Sequence, residues 1–482
     1  MSHNSEPIQH IQNVHLKTTY KVYKIRWVVL LACMILISNV HMAWLTFTPV
    51  QYKAAQWIGG KYADSPEKLD IYGIINFPIA FLFGFVGAWL YDEHGSYTPL
   101  MLGGWSVTIG NVLRCIALYT ENPETRYFII LAAQIIFGIS IAMLSLAPAK
   151  IASVWFAEDQ RALANTAIAL SLPGGIMVCY VIGPIIVNAF EDLQESFSYL
   201  FYIYTGWGLI GTLLVTIFMR NPGVPKSPAS PSSLEAVLPY WQGLKSCFFN
   251  LKFWLICAPM SCGMGVISIV MITLPEILCP FGFTESWANT NAIAIMISSG
   301  CFSSFIFAVL IDKYGNLETF FKVLLVGTVA SMFMFSYFAT IEPDLTGFGL
   351  SCALLGVFAY PILPIGYELS VETTFPVGPA TSAGLNWIIS SLMAFVLEFV
   401  FIPLRRTVED SFVNQCAVDG QEVENYDYRN SLFAICAITG VCGVANILFY
   451  KCPYERRKID DGRRENGEAK RNSVGVKNSG YE

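Results

Sequence analysis

Apolar runs of about 20 residues recur twelve times along this 482-residue chain. They lie near 27–49, 70–91, 98–120, 127–149, 162–188, 197–219, 253–280, 287–311, 319–340, 346–368, 380–404 and 430–450. Each is long enough to cross the roughly 30 Å hydrocarbon layer as a helix. Hydrocarbon offers no partners to backbone N–H and C=O groups, so a span must satisfy its own, and a helix does. The expected fold is therefore an all-α membrane protein of twelve transmembrane helices. Composition agrees: charged residues make up 13% of the chain and hydrophobic ones 54%, where a soluble domain carries about 25% charged residues. The net charge of −6 comes without a basic stripe, so a nucleic-acid partner is not expected.

A short stretch occurs twice. Residues 88–95 read AWLYDEHG and residues 308–315 read AVLIDKYG, so Ala88, Asp92 and Gly95 have counterparts in Ala308, Asp312 and Gly315, 220 positions on. Each copy follows the second long apolar run of its half. Duplication of a six-helix unit leaves this trace, and two pseudo-symmetric six-helix bundles are a recurring transporter plan. A fainter echo pairs Ser153-Val154 after the fourth run with Ser370-Val371 after the tenth.

Lys and Arg set the orientation. With both termini inside, the inner segments hold 21 of the 29 basic side chains and the outer loops 7, with Arg114 left inside a run. That excess places both termini in the cytoplasm. The first 26 residues are polar and the first apolar run is too long for a signal-peptide core, so no cleaved leader is read. The resulting segments are a cytoplasmic tail (1–26), an N-terminal bundle (27–219), a cytoplasmic linker (220–252), a C-terminal bundle (253–450) and a solvated tail (451–482). The linker opens RNPGVPKSPASPSS, a Pro- and Ser-rich composition suited to a flexible connection. The basic start of the last tail suits anionic lipid.

No G-x-x-x-x-G-K-[ST], G-x-S-x-G or H-E-x-x-H occurs, so neither a nucleotide engine nor a hydrolase centre is present and no cofactor is expected. Candidate sites come instead from ionisable and aromatic side chains inside the runs, where a charge is expensive unless it is paired or faces a cavity. His41 either bonds a neighbouring helix or serves a haem or proton role. Arg114 is expected to snorkel to the outer interface. Glu276, after Pro275, faces a cavity or makes a gate contact; Glu398 is either a coupling carboxylate or interfacial. Glu368 is expected to pair with Lys150 near the cytoplasmic mouth. Gln134 and Tyr360 are cavity-lining or packing residues. Trp44 needs a partner for its indole N–H and offers its ring face to a cation, against the alternative of an interfacial anchor. Of thirteen cysteines, Cys279 ends the seventh run at the outer face and Cys416 lies in the long outer loop from 405 to 429. Both would meet an oxidising side, and a disulfide between them is expected. No N-x-[ST] sequon occurs.

The paired Ala-x-x-x-Asp-x-x-Gly loops resemble the signature loop of the major facilitator superfamily, with Ala where its first Gly is usual and few of its customary basic residues. RWVVL with SNVHMAWLTFTPV, then LAPAKIASVWFAEDQRALAN, then ELSVETTFPVGPATSAG, are similar to solute carrier family 49, the family of the feline leukaemia virus subgroup C receptor; the likeness runs from about residue 25 to 458. It implies carriage of a small amphiphilic or cationic solute, of the haem, choline or ethanolamine class, by alternating access. The carrier would be a monomer in the plasma or an endolysosomal membrane. Choline-carrying members hold the ammonium in an aromatic cage whose first tryptophan matches Trp44. The second aromatic falls at Val270, and the cage's glutamines fall near Gly174 and Ser391, so this chain departs from that cage. By superfamily analogy Asp92 meets the start of the eleventh run at Thr381 and Ser382, and Asp312 meets Arg161, as gating contacts with Gly95 and Gly315 in the same loops. A transport-inactive receptor or scaffold on the same fold remains the alternative, since fold alone does not assign function.

Overall fold

The structure, a computed structural model, describes residues 23–156, 158–219, 238–284, 286–341, 343–407, 416 and 424–454. Most of both tails and the first part of the linker lie outside the described residues. Among the described residues, twelve helices are long and apolar enough to cross a membrane. They are α1 (Arg26–Trp44), α2 (Asn76–Glu93), α3 (Tyr97–Leu118), α4 (Pro123–Leu144), α5 (Glu158–Asn188) and α6 (Leu193–Phe218). The second six are α7 (Leu251–Leu278), α8 (Ala292–Tyr314), α9 (Leu317–Phe338), α10 (Leu345–Thr374), α11 (Pro379–Phe401) and α12 (Arg429–Phe449). Shorter helices cover Gln51–Ile58, Ala147–Trp155 and Tyr240–Phe248, and a two-residue antiparallel pair joins β1 (Arg406–Thr407) to β2 (Tyr426–Asp427).

The chain divides into two compact units, one holding 1–236 with 416–423, the other 237–415 with 424–482. In the first, α1 packs on α4, α5 and α6, while α3 packs on α4 and α6, and α2 on α4. In the second, α7 packs on α10, α11 and α12, α9 on α10 and α12, and α8 on α10. The second set is the first with six added to every label. The repeat also reaches atomic detail. Gly138 of α4 lets α2 approach so closely that an added Cβ would sit 2.8 Å from the Ile79 side chain, and at Gly356 of α10 it would sit 2.1 Å from the Met296 carbonyl oxygen of α8. Asn76 and Ile79, which border Gly138, correspond to Met296 and Ser299, which border Gly356, at the same 220-residue offset as the signature loops.

Helix ends follow local chemistry. Asn122, Asp192, Asn250, Asn316 and Asp344 each accept first-turn N–H groups of α4, α6, α7, α9 and α10 respectively, which satisfies donors that a helix start leaves free. Outward faces carry Leu82, Ile185, Phe302, Phe305 and Val441 exposed, as a surface against acyl chains requires. α1 stops at Trp44, short of the apolar run's end near 49, because Thr48–Val50 turns as a 3₁₀ segment over Pro49 into Gln51–Ile58.

Candidate functional site

The end of α1 gathers a buried cluster of polar and aromatic side chains. Trp44 is 9% exposed and donates its indole N–H to the Gly73 carbonyl at 3.0 Å. Its ring meets Phe77 edge-on at 5.7 Å and His41 at 6.2 Å. His41, one turn back on α1, is 3% exposed, with Nδ1 2.8 Å from the Ile37 carbonyl of its own helix. A carbonyl accepts only, so Nδ1 carries the hydrogen and Nε2 is left as acceptor; the expected bond to a neighbouring helix is replaced by one within α1. Fully buried Gln134 donates to the Trp44 carbonyl at 3.4 Å and accepts from Asn76 at 3.4 Å, while Asn76 Oδ1 has no partner. Asn76 and Phe77 were not among the residues expected from sequence; their place just before Pro78, at the start of α2, gave no signal in an apolar run.

Arg114 corrects an expectation. It does not snorkel: it is 0% exposed, and its guanidinium donates to Thr46 Oγ1 at 2.9 Å and to the Ala43 carbonyl. The rings of Phe137, Phe47 and Phe201 lie 4.5, 5.2 and 5.8 Å from it. Ala43 is in the last turn of α1, where unpaired carbonyls form the negative end of the helix dipole. A cation there is solvated by a helix terminus and three ring faces instead of by a carboxylate. Such contacts contribute about 0.5–2 kcal/mol per ring and about 1.5–3 kcal/mol per charged hydrogen bond, enough to offset the several kcal/mol that burying an ion costs.

The signature loops share one geometry. Gly95 and Gly315 follow α2 and α8 with φ of +76° and +70°, the left-handed conformation that glycine adopts without a Cβ clash. In the first copy Ala88 is buried, and half-buried Asp92 meets half-buried Lys150 at 3.4 Å; in the second, Ala308 is exposed. The side chains of Asp312 and Arg161 lie outside the described residues. Glu368 is exposed on α10. Tyr360 lies with its ring against Gly300 of α8, a packing position.

In the second unit, Glu276 of α7 is 6% exposed and accepts from the Tyr428 hydroxyl at 2.7 Å. Tyr428 stacks on Phe401 of α11 at 5.1 Å and accepts from Arg405 at 3.3 Å, and Arg405 lies 3.9 Å over the Tyr426 ring. Glu398, one turn before Phe401, is 2% exposed, and neither of its oxygens has a hydrogen-bond partner among the described residues. Val270 is buried within α7. Cys279 and Cys416 are disulfide-bonded and the other eleven cysteines are free. A small cleft bounded by residues such as Met260, Ile267, Thr328, Ile362 and Thr439 has no charged side chain in its lining.

Known proteins carry the same architecture. The Major Facilitator Superfamily pattern matches residues 54–398. The chain belongs to the Major Facilitator Superfamily. This major facilitator is therefore a multi-pass membrane transporter and not an enzyme, and the relatives it resembles include members of solute carrier family 49. It is 26% identical to solute carrier family 49 member A3 of Xenopus tropicalis, over 91% of this chain and 90% of that protein. To the human choline/ethanolamine transporter FLVCR2 it is 22% identical, over 79% of this chain and 69% of that one. Among solved structures, the D-xylose-proton symporter superposes with a TM-score of 0.63 at 14% identity, covering 89% of this chain and 98% of that one. A bacterial homolog of the human lysosomal transporter Spinster, inward-facing and unoccupied, gives 0.62 at 14%, covering 89% and 97%. These likenesses bear on the fold alone.

Proposed function

We propose that this major facilitator carries a small organic cation of the choline or ethanolamine class by alternating access, with Trp44 as the principal cation-recognising side chain. The observation that carries the reading is the state of Trp44: its N–H is already satisfied by Gly73, so what it has left to offer a solute is its ring. A ring face attracts a cation by about 0.5–2 kcal/mol, more where water is excluded. His41 and Phe77 pack edge-on with that ring, and Gln134 holds the backbone carbonyl of Trp44. The names of the FLVCR2 relatives point to the same chemistry. Haem suits this end of α1 less, because His41 is only 3% exposed.

In this reading residues 27–219 and 253–450 are the two moving bundles, both termini are cytoplasmic, and the Asp92 and Asp312 loops hold the inner side shut. The Cys279 disulfide is made with Cys416 on the outer side, which non-reducing peptide mapping tests.

Uptake of labelled choline, ethanolamine and haem into proteoliposomes, against empty vesicles, tests the function. Trp44→Ala should weaken the apparent affinity for choline by up to about thirtyfold, taking 2 kcal/mol at 1.4 per decade, while Trp44→Phe keeps most of it. Equal loss in both variants at unchanged surface expression would assign Trp44 to shape or hydrogen bonding. Absence of flux for every solute in a wide panel would favour the receptor reading.

A further inference from the structure

The carboxyl of Glu398 stands out among the buried polar groups. It sits near the end of α11, it is 2% exposed, and among the described residues neither oxygen has a donor. An ionised carboxylate in such a place forgoes hydration without replacement, which costs several kcal/mol; the neutral acid does not pay that penalty. Glu276 of α7 lies within electrostatic reach of Glu398, and neighbouring carboxylates in a low-dielectric environment disfavour double ionisation. The surroundings divide the two roles. Glu276 is tied through Tyr428 to Arg405, a chain of donors that suits the ionised form. Arg429 of α12 is turned to Thr340. Glu372 lies at the far end of α10, near where Asn386 of α11 reaches Ser370.

We propose that Glu398 is a proton-binding site, with Glu276 as its ionised neighbour, and that its proton is the one exchanged during the transport cycle. One proton binds one carboxylate oxygen of Glu398 and leaves it again to water; no other bond is made or broken. The coupling rests on the transport reading above, but the site itself does not.

Infrared difference spectroscopy of the purified full chain across pH, with no solute present, reads the C=O stretch of a protonated carboxyl directly. A band near neutral pH in the parent that is missing from Glu398→Gln is the expected result. In Glu276→Gln the band should remain but disappear at lower pH, because the neighbouring negative charge is gone. Parent and Glu398→Gln spectra that coincide overturn the proposal, whether or not any solute is carried. In proteoliposomes that exchange choline, a one-unit pH step should shift the parent's inside-to-outside choline ratio by up to about tenfold for one proton per solute. Glu398→Gln should exchange choline and ignore the step. A parent that exchanges choline and ignores the step overturns the coupling, and one that carries nothing overturns the transport reading while the infrared result still decides the site.

Discussion

Arg114 in the first unit and Glu398 in the second are both buried ionisable side chains inside apolar helices, yet their surroundings differ in kind. Around Arg114 the chain has assembled a helix terminus, a threonine hydroxyl and three aromatic rings. Around Glu398 it has placed no donor, and its charged neighbour has the same sign. The first environment stabilises a permanent charge, so Arg114 reads as structure: it fastens the end of α1. The second tolerates a charge only intermittently, which is what a group that changes state needs. Burial of an ionisable residue is therefore not one signal but two, and the donors around it separate them.

The largest effect should come from breaking the fastened end. Arg114→Met removes the charged donor to the Ala43 carbonyl and to Thr46, which keep only the Thr46 hydroxyl's bonds to Ala43 and Met42, and thermal unfolding in detergent should report a loss of about 3–5 kcal/mol, from two hydrogen bonds to a charged group at about 1.5–3 kcal/mol each. Stability equal to the parent would remove the clamp from the account. Tyr428→Phe cuts the donor to Glu276 and should cost about 1.5–3 kcal/mol by the same measurement; no change would mean that Glu276 is held by other contacts. Glu398→Leu sharpens the contrast, because replacing a donorless carboxyl by an apolar side chain of similar size should be neutral or stabilising, within about 1 kcal/mol in the melt. A loss as large as that of Arg114→Met would place Glu398 in the same class and collapse the comparison. The smallest effect tests what the units share: Gly95→Ala and Gly315→Ala each force a Cβ into left-handed backbone and should each cost about 1 kcal/mol. A cost at one loop only would show that the two copies no longer bear the same conformational demand.

The fold was legible because hydrophobic length is a local property. The helices α3, α6, α9 and α12 begin and end within a few residues of the apolar runs that announce them, and the repeated Asp-x-x-Gly loop located the duplication. Where α1 ends was not legible, since Leu45 to Val50 continue apolar and the turn depends on Pro49 and on what packs behind it. The site residues divide in the same way. Trp44, His41 and Gln134 are visible as polar or aromatic interruptions, and they do come together in one cluster. Arg114 was misread because snorkelling assumes a lipid neighbour, whereas the groups that hold it arrive from α1 and the turn after it, from α4 and from α6, up to 87 positions away (201 − 114). That both oxygens of Glu398 lack donors could not be read either, because it depends on which side chains α7 and the approach to α12 withhold.

The glycines at 138 and 356 have a mechanical meaning. With no side chain between them, α2 and α4 touch backbone to side chain, and α8 and α10 touch backbone to backbone. Contacts of that kind resist compression and shear, so each helix pair behaves as a single beam about two helices thick. Whatever bending accompanies the passage of a solute must then be taken up where the hydrogen-bond ladder is interrupted, at Pro173 and Pro184 in α5, Pro259 and Pro275 in α7, and Pro361 and Pro364 in α10 beyond its glycine. Stiff beams and compliant joints are thus laid out along the primary structure, and Glu276 stands immediately after one of the joints.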